Sequence, residues 1–114
     1  MPPLDGIELV EVLATLANPH RLRVLAALLH GRAYVSQLAR DLGISRPLLQ
    51  VHLKRLQAVG LVSSELEISN DGKAMNYFAL VPFRIELTPS SVLAAARSLE
   101  APSRTSSTHP HRKA

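Results

Sequence analysis

The stretch Ser45-Arg-Pro-Leu-Leu-Gln-Val-His-Leu-Lys-Arg-Leu-Gln-Ala-Val-Gly60 decides how this chain folds. Ser45 has the side chain of an N-cap, able to accept a hydrogen bond from an orphan backbone N–H of a first turn. Pro47 falls inside that turn, where a missing N–H costs little. Gly60 suits the position just past a helix end, where the backbone turns left-handed. At ~100° per residue, Leu49, Leu53 and Leu56 share one side, with His52 at its edge. The other side carries Pro47, Gln50, Val51 and Lys54, with Leu48 and Arg55 alongside. One half of this helix needs a core. The other half carries groups able to meet phosphates and base edges.

A cationic helix face is often merely solvated, so the preceding residues matter. Ser36-Gln-Leu-Ala-Arg-Asp-Leu-Gly43 predicts a short helix with Ser36 as its N-cap, Leu38, Ala39 and Leu42 turned inward, and Gly43 at its end. Ile44 and Ser45 then make a tight link. Two helices joined by a short turn containing glycine form a helix-turn-helix pattern.

Working outward, Asp5 is positioned to cap a helix to about Ala17, with Ile7, Val10 and Leu13 (or Leu9 and Leu16) recurring at helical steps. Asn18-Pro19 breaks it. A second helix is expected from His20 to about His30, burying Leu22, Leu25, Leu28 and Leu29, with Arg21 and Arg23 pointing elsewhere. Arg32 to Val35 is a short link. After Gly60, Val62, Ser64, Leu66 and Ile68 alternate with Ser63, Glu65 and Glu67. Asn70-Asp71-Gly72 supplies turn residues, and Ala74 to Leu80 returns, giving a β-hairpin. A last helix is expected from about Pro89, capped by Thr88, to about Glu100, with Val92, Leu93, Ala96 and Leu99 on one apolar face. That face meets either a second copy of the chain or its own domain. Residues 101–114 lack apolar groups and are expected to be a disordered basic tail beyond a single domain, 1–100. The fold class is mainly α with a β-hairpin: a winged helix-turn-helix of five helices and a two-stranded wing.

The 114 residues carry a net charge of +4, unevenly spread. Residues 1–20 hold Asp5, Glu8 and Glu11 and no Lys or Arg. Residues 21–55 hold Arg21, Arg23, Arg32, Arg40, Arg46, Lys54 and Arg55 against Asp41 alone. Such a concentration is what a polyanion-binding surface needs. Two Tyr, two Phe and no Trp make stacking on single strands a poor alternative, so duplex DNA is the better partner. The absence of cysteine removes disulfides and thiolate metal sites. No apolar run approaches the ~20 residues of a membrane span, and no export signal is visible; a soluble cytoplasmic protein is expected. No Ser/His/Asp arrangement, glycine-rich phosphate loop or carboxylate pair stands out, so no enzyme is expected.

Several motifs together resemble the ArsR/SmtB family of winged-helix repressors: Pro19-His20-Arg21-Leu22, Ser36-Gln-Leu-Ala-Arg-Asp-Leu-Gly43, and His52-Leu53-Lys54 followed by Gly60-Leu61-Val62. The resemblance covers about residues 7–100. It implies homodimerisation through the first and last helices, placing Ile7, Val10, Leu13, Val92, Leu93, Ala96 and Leu99 at the interface. It also implies contact of Ser45, Arg46, Pro47, Gln50, Val51, Lys54, Arg55 and Lys73 with double-stranded operator DNA. Arg46 and Gln50 have the chemistry for base edges, Val51 for a thymine methyl, and Lys54 and Arg55 for phosphate.

The departures are specific. Tyr34 and Ser36 stand where thiolate-sensing members carry Cys-x-Cys, and Ser90 to Glu100 lacks the His and Asp of the last-helix metal site. Glu65 and Glu67 occupy wing positions often basic in the family, leaving Lys73 as the wing's main cation and implying a weaker phosphate grip. No metal residue is therefore assigned. Sensing is left to a divalent transition metal (nickel or zinc) bound elsewhere, or to a co-regulator protein. His109-Pro-His111 is the chain's His-x-His, read as spacer rather than ligand. A winged-helix protein–protein interaction module, its basic helix docking an acidic partner, is the alternative.

Overall fold

The computed structural model describes residues 3–100. The tail and its His109 and His111 lie outside them. Five helices and three strands follow in the order α1 (Gly6–Leu16), α2 (Pro19–Leu28), β1 (Ala33–Tyr34), α3 (Val35–Leu42), α4 (Arg46–Ala58), β2 (Val62–Ile68), β3 (Ala74–Leu80) and α5 (Pro89–Glu100).

Local chemistry sets most helix ends. Asp5 and Glu8 form a reciprocal capping box at α1, side chain to backbone in both directions. Asn18 Oδ1 accepts from the backbone N–H of His20 and Arg21, so Asn18 starts α2 as well as ending α1. Thr88 and Ser91 cap α5 reciprocally, each hydroxyl accepting the other's backbone N–H. At α3 the expected N-cap fails. The helix begins at Val35, Tyr34 holds the cap position without a side-chain bond, and Ser36 lies inside the first turn. The reason is β1: Tyr34 is held extended by pairing with Tyr77 of β3, so the helix starts where that pairing stops.

The link expected from Arg32 to Val35 therefore contains a strand. The sheet has three antiparallel strands in the order β1-β3-β2, and the hairpin β2–β3 runs in register from Val62 opposite Leu80 to Ile68 opposite Ala74.

The core gathers Val12, Val24, Leu25, Leu28, Val35, Leu38, Leu49, Leu53, Leu56, Leu61, Val62 and Phe78. The α2 stripe differs from expectation. Leu22 and Leu29 are 54% and 73% exposed, whereas Val24 is fully buried. Arg21 turns inward instead of away, which rotates the helix relative to a leucine-only reading. On α1 it is Val12 that packs into the core, while Ile7, Val10 and Leu13 face outward. In the wing, Leu66 and Ile68 are exposed although they alternate in phase with buried Val62.

α5 lies against α1 through buried Ala95. Gly6 permits the approach: its N–H donates to Ser98 Oγ at 2.6 Å, and a Cβ here would collide with the Ala95 carbonyl and the Leu99 side chain. Gly6→Ala is accordingly expected to lower unfolding free energy by about 1–3 kcal/mol, the usual cost of overpacking. Denaturant unfolding checks this; an unchanged midpoint would show that α1 and α5 are not tightly apposed.

Candidate nucleic-acid interface

Helix α4 stands on its leucines. Leu49, Leu53 and Leu56 are completely buried, and each contributes roughly 1.5–3 kcal/mol through removal from water. Ser45 Oγ accepts from Leu48 N at 3.2 Å, and Gly43 (φ 69°) makes the left-handed turn into the α3–α4 link. At the other end Gln57 Nε2 donates to Ser64 Oγ at 2.9 Å, tying α4 to β2.

With the inner face fixed, Ser45, Arg46, Pro47, Gln50, Val51, Lys54 and Arg55 are all exposed. The structure brings several of these together with the wing. One open groove is lined by Arg46, Gln50, Lys73, Met75 and Asn76, and a second by Gln50, Val51, Lys54, Ser64 and Asn76. Gln50 borders both. Lys73 sits in a turn organised by Ser69, whose hydroxyl accepts from Lys73 N at 3.1 Å and bonds the Asp71 carboxylate. That hydroxyl, then the Lys73 backbone N–H, holds the Asp71 carboxyl below its usual range.

Three of the cations counted toward the basic surface are engaged elsewhere. Arg21 Nε donates to His52 Nδ1 at 3.2 Å, and its Nη1 donates to the Thr15 carbonyl at 3.2 Å. Arg23 Nη2 donates to the Leu42 carbonyl at 2.9 Å, satisfying the end of α3. Arg32 pairs with Glu65 and Glu67. The basic surface is thus narrower than the charge count of residues 21–55 implies, and is concentrated on α4. The sequence offered little sign of this, since tertiary partners are not visible in spacing.

His52 is buried on the inner side of α4, its ring 5.3 Å from that of His20. Burial first, then the Arg21 and His20 charges, push its pKa below the ordinary histidine value. It is a packing and hydrogen-bonding residue, as its position at the edge of the apolar face implies. Among the described residues no group of three or more His, Asp or Glu converges to hold a metal.

The three-helix body, the α3–turn–α4 pair and the attached hairpin define a winged helix-turn-helix protein. Residues 18–64 match the model of the bacterial regulatory protein, arsR family. The chain is 46% identical over 52 residues to the HTH-type transcriptional regulator CmtR of Mycobacterium tuberculosis, a match covering 46% of this chain and 44% of the relative. It therefore spans less than half the length of that regulator. The fold is similar to the ArsR-like transcriptional regulator from Rhodococcus sp. RHA1, at 29% identity and TM-score 0.57, over 82% of this chain and 77% of that one. It is similar also to NolR from Sinorhizobium fredii, at 26% identity and TM-score 0.59, over 89% and 97%. The matched family is one of regulatory proteins, not enzymes.

Because folding favours neutral His52, the unfolded chain binds more protons below the ordinary pKa of 6.5. The stability this residue supports is present above that pH and is lost as pH falls below it. Urea unfolding at about pH 8 and about pH 5.5 should show weaker folding in acid, and His52→Gln should flatten the dependence. Equal slopes in both proteins would remove His52 as the cause.

Proposed function

We propose that this chain is a sequence-specific, double-stranded-DNA-binding transcriptional regulator of the ArsR type, working as a homodimer on a pseudo-palindromic operator in the cytoplasm. The observation that carries the reading is the division of α4. Its leucines are buried, and Arg46, Gln50, Val51 and Lys54 are exposed beside the wing cation Lys73. A helix fixed in this way fits a major groove, Arg46 and Gln50 reading base edges and Lys54 and Arg55 holding phosphate. Two such helices would enter successive grooves about one turn, ~34 Å, apart.

The homodimer reading rests on apolar side chains that the single chain leaves exposed on α1 and α5. Ile7 is 63% exposed, Val10 55%, Leu93 and Leu99 each 52%. Leu13 and Val92 are also exposed, and Ala96 is half-buried. Exposed apolar groups gathered on two adjacent helices support association of copies. For effector sensing, nickel or zinc binding by the chain itself and delegation to a co-regulator protein are separated by calorimetry of the full chain with each metal.

Electrophoretic shift against a selected and a random duplex tests the main reading, and no duplex binding at low salt would sink it. Lys54→Ala should weaken binding to both duplexes alike and reduce the salt slope by about one; an unchanged slope excludes Lys54 from phosphate contact. Gln50→Ala should relax preference between duplexes more than it lowers total affinity, whereas a uniform loss excludes base reading by Gln50. Leu93→Glu should convert a dimer to a monomer in sedimentation velocity, and a surviving dimer would place the interface elsewhere.

A further inference from the structure

The hairpin β2–β3 flanks the outer face of α4, yet its residues 62–80 carry Glu65, Glu67 and Asp71 against Lys73 alone. Two of those carboxylates are met by one cation from outside the hairpin. Arg32, just before β1, reaches across the central strand β3 to β2. Its Nη1 lies 2.6 Å from Glu67 Oε2 and its Nη2 3.0 Å from Glu67 Oε1, a two-pronged pair, while Nη1 lies 3.3 Å from Glu65 Oε1. The guanidinium sits 4.0 Å from the Tyr77 ring centre, and Tyr34 meets Tyr77 edge-on at 5.9 Å. Arginine alone combines a planar fork for carboxylate with a face that stacks on an aromatic ring.

Stability is a weak explanation for this cluster. All three charged side chains are substantially exposed, from 42% to 71%, and surface pairs of this kind contribute little. Electrostatics toward a polyanion explains more. Uncompensated carboxylates on a wing beside Lys73 and Arg46 would repel phosphates within the ~8–10 Å screening length of physiological salt. We propose that Arg32 is a counter-charge residue for duplex binding: it neutralises the acidic strand of the wing that flanks α4. The proposal rests on the duplex-binding reading above.

Fluorescence anisotropy with a labelled random-sequence duplex of about 25 base pairs, at about 0.05 M and about 0.2 M salt, tests it. Arg32→Ala should weaken binding by roughly tenfold at the lower salt and by less at the higher. Adding Glu65→Gln and Glu67→Gln to Arg32→Ala should restore affinity to within about twofold of the parent, because the carboxylates, not the missing clamp, cause the defect. Glu65→Gln with Glu67→Gln in the parent chain should tighten binding, since Arg32 is then an uncommitted cation; this arm does not depend on the Arg32→Ala variant folding. Arg32→Ala binding like the parent, a triple variant as weak as Arg32→Ala, or weaker binding by the double glutamine variant would each overturn the proposal while leaving the duplex reading intact. A parent chain that binds no duplex removes both.

Discussion

Leu49, Leu53 and Leu56 have no exposed surface, and that single fact fixes what the rest of the molecule presents. A helix held on one side by three buried leucines cannot rotate without drawing ~1.5–3 kcal/mol per side chain back into water. Every side chain about half a turn away is therefore held outward whatever its own preference. Leu61 and Val62 continue the same core directly after the helix, so the wing leaves α4 in a defined direction. The Gln57–Ser64 hydrogen bond joins helix and first wing strand again just beyond. Recognition surface and wing are consequences of one buried seam.

The distribution of charge follows the same logic. Cations close to the core are used to build it. Arg21 bridges α1, α2 and His52, and Arg23 closes the end of α3. Cations on the outer face of α4 have no such work among the described residues, and exposure leaves them to an external polyanion. A count of Lys and Arg along residues 21–55 merges the two kinds. The division between them is a property of the fold, created when α2 packs against α4.

The elements with strong local signals were legible. Asp5, Ser45 and Thr88 cap the helices they were expected to cap, and the leucine spacing of α4 located its buried side correctly. The wing hairpin followed from alternation and the Asn70-Asp71-Gly72 turn. What escaped was set by tertiary pairing. A two-residue strand, Ala33–Tyr34, is too short to have a period, and its pairing with β3 displaced the start of α3 from Ser36 to Val35. Across residues 22–29, leucine at four positions could not say which would be inside. Arg21 turning inward to His52 left Leu22 and Leu29 outside and put Val24 in the core. The exposed residues of the candidate interface were legible as a set, because the leucines opposite define them. The Arg32 cluster was not, since it joins a link, a central strand and a wing strand far apart in sequence.

The claim on which the account turns is that the outward face of α4 meets duplex DNA. Titrating the isotopically labelled full chain with a short duplex, and following backbone amide and side-chain resonances by NMR, tests it most directly. The account predicts the largest shifts at Arg46, Gln50, Val51, Lys54 and Arg55, with Lys73 beside them, and little change at Leu49, Leu53 and Leu56. Saturable duplex binding that leaves the outward face of α4 unperturbed would contradict it.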